Sequence, residues 1–263
     1  MNSIRNYTLL AATACLLGAG SANAALVSYT SGDLLMSFRA TTVGSQGFGT
    51  TYVVNVGQAS SFRDATSSTT LNLGNIGTDL AALFGAGWAS RGDILWGVAG
   101  TPSNTATVGG DAAATLYASA EQGAAGQFGT GWEVAGSSTR TSIATNMVLG
   151  QDTFKALQST SNSAFAALMP EAMSNDWREF LADGGNPAYT SGGKDFGAFA
   201  NIEGSIGKGL NLYRMNTSAA GSYEGSFTIN SAGVVNFVPE PSTAILGVLG
   251  TGLLAFRRRR RGL

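Results

Sequence analysis

Histidine is absent from all 263 residues, and cysteine occurs once, at Cys15. Without imidazole there is no Ser-His-Asp triad, no histidine general base and no His-ligated zinc or copper site. Only 12% of the residues are charged, and proline occurs five times. The 37 glycines are scattered, and none builds a phosphate loop or dinucleotide fingerprint between a strand and a helix. These absences leave carboxylate chemistry. A glycosidase needs only two Asp or Glu residues at a set separation, although spacing along the chain does not say which of them face each other.

Residues 1–24 have the layout of a secretory leader. Arg5 supplies a positive start, Leu9 to Gly18 is apolar, and Ala22-Asn23-Ala24 places small residues at Ala22 and Ala24, the two positions read by signal peptidase. The mature chain is then expected to begin at Ala25. A retained membrane helix is a poorer reading, because the apolar run is short and Gly18, Gly20 and Ser21 interrupt it. A lipid attached at Cys15 would call for a leucine where Ala12 stands. Loss of the leader removes Cys15, so thiol nucleophiles, thiolate metal ligands and disulfides go with it.

The other end, residues 238–263, has three parts in order. Pro239, Glu240 and Pro241 follow Val238; an uncharged run extends from Thr243 to Phe256; Arg257, Arg258, Arg259, Arg260 and Arg261 come last. Two prolines fix φ and remove two backbone donors, which predicts an extended, unpaired peptide suited to a protease groove. Five arginines beside an apolar run stay on the cytoplasmic side of a bilayer. As a helix the run spans about 21 Å, short of a hydrocarbon core of roughly 30 Å, and snorkelling with local thinning absorbs the difference. A soluble core helix is the bland alternative, but such helices rarely end in five consecutive arginines.

This layout resembles the PEP-CTERM sorting signal of Gram-negative bacteria, over about a tenth of the chain. The resemblance implies recognition of residues 239–241 by exosortase, a membrane enzyme proposed to cut near the motif. It also implies a transmembrane helix over 242–256 and a stop-transfer role for the basic tip 257–261. The protein would be anchored in the inner membrane before processing and would reach the cell surface or the exterior afterwards.

Residues 25–237 form the working part. Six of the 15 basic residues and one of the 16 acidic ones lie outside it, leaving nine against fifteen, a net charge near −6. That balance excludes a phosphate-binding role on nucleic acid. With no disulfide, the exported domain must rest on its packed core, and 213 residues are enough to make one.

Period-two runs predict strands at Leu34, Met36 and Phe38, with Ser37 and Arg39 toward solvent, and at Tyr52, Val54 and Val56, with a hairpin connection over Gly44 to Gly49. Phe227 and Ile229 lead through Ser231-Ala232-Gly233 into Val234 to Val238, a second hairpin. Strands are also expected from Asp93 to Val98 and from Thr115 to Ser119. Gly32-Asp33-Leu34-Leu35-Met36 and Gly92-Asp93-Ile94-Leu95-Trp96 share turn-into-strand chemistry, one pair not being a repeat. A helix capped at Thr78 carries Leu80, Leu83 and Phe84 and stops at Gly85. Residues 120–140 predict a loop, and a helical period over 163–182 joins Phe165, Leu168, Met169, Met173, Trp177, Phe180 and Leu181. The expected fold is a single, mainly β, sandwich-like domain with short helical insertions.

Several features admit a functional and a structural reading. Arg91-Gly92-Asp93 matches an adhesion tripeptide but enters a strand, which favours a turn. Asp176, Glu179 and Asp183 lack the order of an EF-hand. Trp88, Trp96, Trp132 and Trp177 could stack on sugars, or lie in the core. The reading is an exported surface or matrix protein without catalytic residues, cofactor or metal. Its processing partners are exosortase and signal peptidase, its anchor is the membrane, and exopolysaccharide is a further candidate partner. The rival readings are a carbohydrate-binding module of the biofilm matrix and a carboxylate-only glycosidase.

Overall fold

In β1 (Asp33–Ala40) the period-two residues Leu34, Met36 and Phe38 turn to one face as expected, yet all eight residues of the strand are buried. Arg39 therefore does not face solvent, because this sheet is covered on both sides. The computed structural model describes residues 25–123, 137–178, 202–216 and 221–240. Within them β2 (Thr50–Gln58), α1 (Ala59–Arg63), β3 (Thr69–Thr70) and α2 (Ile76–Phe84) follow β1, then a 3-10 turn at Trp88–Ser90. Next come β4 (Ile94–Gly100), β5 (Leu116–Glu121), α3 (Ser137–Lys155) and β6 (Ala166–Pro170). The last described elements are β7 (Glu203–Ser205), β8 (Leu210–Met215), β9 (Ser222–Ile229) and β10 (Val235–Pro239).

The expected two-sheet sandwich is instead one curled antiparallel sheet, in the order β3-β10-β9-β8-β5-β4-β1-β2-β6 with β7 also on β4. One edge of β4 is shared: β5 takes Ala99 and Gly100, and β7 takes Leu95 to Gly97. The segment after β3 spans the two ends of the curl. Leu71 donates its amide to the Val235 carbonyl at 2.9 Å, and Asn75 donates to Asn162 at 2.9 Å, beside β6. A curled sheet has two faces to bury, and the alternation along each strand feeds both.

The inner face carries Leu34, Phe38, Tyr52, Trp96, Phe227 and Phe237, closed by Phe62 of α1, Leu80 and Phe84 of α2, and Trp88. Phe38 stacks on Trp96 with centroids 6.0 Å apart. The outer face carries Leu35, Val53, Leu116 and Met215 under Ile143, Met147 and Phe154 of α3, with Trp177 beside them. Two apolar layers on one sheet supply the core that the absent disulfides make necessary.

Two helical expectations change. α2 begins at Ile76, with Asn75 at the N-cap position and Thr78 inside the helix, while Gly85 ends it as expected. The span 163–182 is not a helix over Ala166–Pro170, which pairs with β2 as β6; Phe180 and Leu181 lie outside the described residues. Phe165, Leu168 and Met169 fit a helical period, but a segment of five residues fits either state, and the open edge of β2 decides. The long helix is α3, which begins inside the stretch expected to be loop. No helix among the described residues is long and apolar enough to cross a membrane; the leader 1–24 and the run 242–256 lie outside them.

Phe237 is fully buried against Phe62 and Phe227, with centroids 5.0 and 4.9 Å away. Phe237→Ala should cost about 3–5 kcal/mol through lost transfer energy and a cavity. Val238→Ala, on the half-exposed neighbour, should stay within about 0.5 kcal/mol. Chemical denaturation of the two variants checks the difference.

Candidate functional site

The first half of the sequence-predicted motif lies in the sheet. Asn230 Oδ1 accepts the amides of Ala232 and Val234, both at 3.0 Å, and Gly233 takes φ 81°, which turns β9 into β10. The register then runs Phe237 opposite Phe227, Val238 opposite Ser226 and Pro239 opposite Gly225. The Glu240 amide donates to the Glu224 carbonyl at 3.1 Å. Pro239 and Glu240 are therefore extended, as expected, but paired, which corrects the expectation of an unpaired peptide.

The phase of the ladder explains why proline is tolerated. Asn230 donates to the Val234 carbonyl and Glu240 to that of Glu224, so amides at even positions of β10 face β9. The nitrogen of Pro239 then faces the opposite edge, where its missing proton costs no ladder bond. That edge is covered by β3 only at Asn236 and Phe237. Pro239 is buried and shares the inward phase of Val235 and Phe237, while Glu240 is exposed.

Gly225 permits this approach. A Cβ there would lie 2.5 Å from the Phe237 ring, 2.5 Å from the Val238 carbonyl oxygen and 2.8 Å from the Pro239 Cα. Next to it, burial raises the Glu224 carboxyl above its ordinary range; Ser222 and Arg214 oppose the shift, and the charges of Asp111 and Glu240 add to it. Pro241, the arginines Arg257 to Arg261, and Ala22 and Ala24 lie outside the described residues.

The buried carboxylates are engaged in holding elements together. Glu203 of β7 accepts Arg39 Nε on both oxygens at 2.9 Å, Arg39 Nη2 at 2.6 Å and Trp177 Nε1 at 3.0 Å. Asp111 meets Arg63 at 3.0 Å, Arg214 at 2.6 Å and the Tyr117 hydroxyl at 2.8 Å. Asp79 of α2 accepts the Tyr52 hydroxyl, Thr160 and Asn162, which fixes the helix on β2. Asp33 accepts the Thr30 amide, Asn55 and Gln58 at the wall of a cleft of about 300 Å³ that Asn72 and Phe165 also line. Glu171, 3.1 Å from Arg178, has its carboxyl raised by burial.

Among the described residues no group of three or more Asp, Glu, His or Cys is placed to hold a metal ion. Asp176 is buried, and Glu179 and Asp183 lie outside the described residues. Trp88, Trp96 and Trp177 are buried and present no face for stacking; Trp132 lies outside the described residues. Arg91 closes on Asp93 at 2.7 Å and donates to the carbonyls of Gln46 and Phe84, so the tripeptide is a turn tied to its surroundings.

Removing one partner of the Arg39–Glu203 pair leaves a buried charge unanswered. Arg39→Ala should cost about 3–5 kcal/mol, and the double change Arg39→Met with Glu203→Leu much less, as read by chemical denaturation. Bonding to Arg91 holds the Asp93 carboxyl down at about 2. A depressed pKa contributes stability above the unfolded value, about 3.9, which is lost as pH falls through the folded one. Wild type and Asp93→Asn should therefore differ in melting temperature at neutral pH and converge toward pH 2.

Sequence reasoning missed Gly225 and Glu224 as partners of the motif, although Phe237 standing in phase with Val235 was a legible signal. No curated protein and no solved structure matches the chain. One family profile does, and its match starts inside β10, at Phe237, and runs through all five terminal arginines to Arg261. Residues 237–261 of this chain are a PEP-CTERM protein-sorting motif, the mark of an exported protein sorted by exosortase.

Proposed function

We propose that this chain is a cell-surface or extracellular-matrix protein of a Gram-negative bacterium, exported through its leader and then processed by exosortase at the C-terminal motif. The observation that carries the reading is the sorting-motif match over residues 237–261, which begins in the last described strand of a folded β domain. The order of parts adds support: leader, domain, proline-flanked glutamate, apolar run, arginines. A plain anchor needs only the last two. In this reading the segment 242–256 is a temporary membrane helix, and Arg257 to Arg261 keep its end in the cytoplasm.

The domain itself is read as non-catalytic. Its buried carboxylates Glu203, Asp111 and Asp33 are committed to arginine, tyrosine and amide donors, which leaves them poorly suited to the proton exchange of a glycosidase. A carbohydrate-binding role would have to do without Trp88, Trp96 and Trp177, which are buried. The cleft beside Asp33, Asn55 and Asn72 is where a polyhydroxy chain would find amide and carboxylate groups.

Changing Pro239, Glu240 and Pro241 together to alanine should leave the chain at precursor mass in the membrane fraction of a host with intact exosortase. The wild type should lose mass and leave that fraction. Intact-mass analysis of the fractions reads both outcomes, and equal mass with equal partition would reduce the tail to an anchor.

A further inference from the structure

We propose that the exported domain holds the first half of its own sorting motif closed, and that processing proceeds from a state in which the end of β10 has come away from β9. This rests on the reading of residues 239–241 as a processing signal. An enzyme that takes an extended peptide into a groove needs the peptide's backbone groups and side chains. Here the Glu240 amide is already given to Glu224, and the Pro239 ring is buried on the inner face. The outer edge of β10 offers no substitute, because the residue whose nitrogen faces it at this point is proline.

The hold is graded along the strand. Up to Phe237, β10 has β9 on one side and β3 on the other, and the Phe62, Phe227 and Phe237 rings lie beneath it. From Val238 onward β9 is the partner and β3 has ended. Glu224 and Glu240 then stand opposite each other across the pair, and like charges in register weaken it. Residues 238–240 can therefore lift while Phe237 stays, so the hinge lies between Phe237 and Val238. Gly225 sets how tightly the lifting part closes, since a Cβ there meets the Val238 oxygen and the Pro239 Cα. The folded domain thereby tunes how fast its own tail is processed, without contributing a catalytic group.

A reversible staple tests this. Val238 and Ser226 are directly opposed, and a hydrogen-bonded antiparallel pair has Cα atoms about 5.5 Å apart, inside the range a disulfide spans. The sequence has no cysteine beyond Cys15, so Ser226→Cys with Val238→Cys would have no competing thiol in the mature chain. In a host with intact exosortase, the oxidised pair should be processed about tenfold more slowly or worse, because the lifted state then requires reduction of the bond. Dithiothreitol should restore the rate, while single-cysteine controls behave as wild type. Gly225→Ala, which pushes the strand end outward, should be processed faster than wild type. If the oxidised staple is processed at the wild-type rate, or Gly225→Ala is not accelerated, the closed-motif proposal falls while the processing reading stands. If wild type itself stays at precursor mass like the triple-alanine form, both fall.

Discussion

Three phenylalanine rings tie the end of the chain to the rest of the fold. Phe62 comes from the short helix after β2, Phe227 from β9 and Phe237 from β10, and their centroids lie 4.9 to 5.2 Å apart. Without that cluster β10 would be a short strand with a two-residue neighbour at the sheet's end, and such strands are weakly held. With it, the ladder continues two residues beyond Phe237 and carries the start of the sorting motif into the sheet. The position of the motif thus follows from apolar packing, although the motif itself is read from two prolines and a glutamate.

The same economy runs through the rest of the domain. Secretion usually invites disulfides, and here none is possible in residues 25–237, so the sheet is covered on both faces. Covering the outer face forces Arg39 and Glu203 out of water, and their bidentate contact, with Trp177 adding a third donor, answers both charges. Such pairs are costly to break and modest in net value, which assigns them to holding register more than to stability.

Much of the β pattern was legible. The period-two residues of β1 and β2, and the hairpin turned at Gly233, appear where alternation and turn chemistry place them. What was not legible is non-local. Arg39 reads as a solvent residue until Glu203, 164 positions away, is brought beside it. β6 reads as helix until β2 is seen to need a partner. α3 escaped because Ser, Thr and Asn dilute its apolar stripe of Ile143, Met147 and Phe154, and Gly150 interrupts it. The motif was recognisable by composition alone. Its pairing was hidden by Pro239, since proline argues against a strand until the register shows its nitrogen turned to the open edge.

The central claim is that the sorting motif begins inside the folded sheet. Site-resolved hydrogen exchange on the full-length chain measures it directly, because the Glu240 amide is bonded to Glu224 and has no other reason to be slow. The account predicts that this amide exchanges well below the rate of an open peptide, though faster than Phe237, whose strand is flanked on both sides. Exchange of the Glu240 amide at the open-chain rate, with protection ending at Phe237, would contradict it.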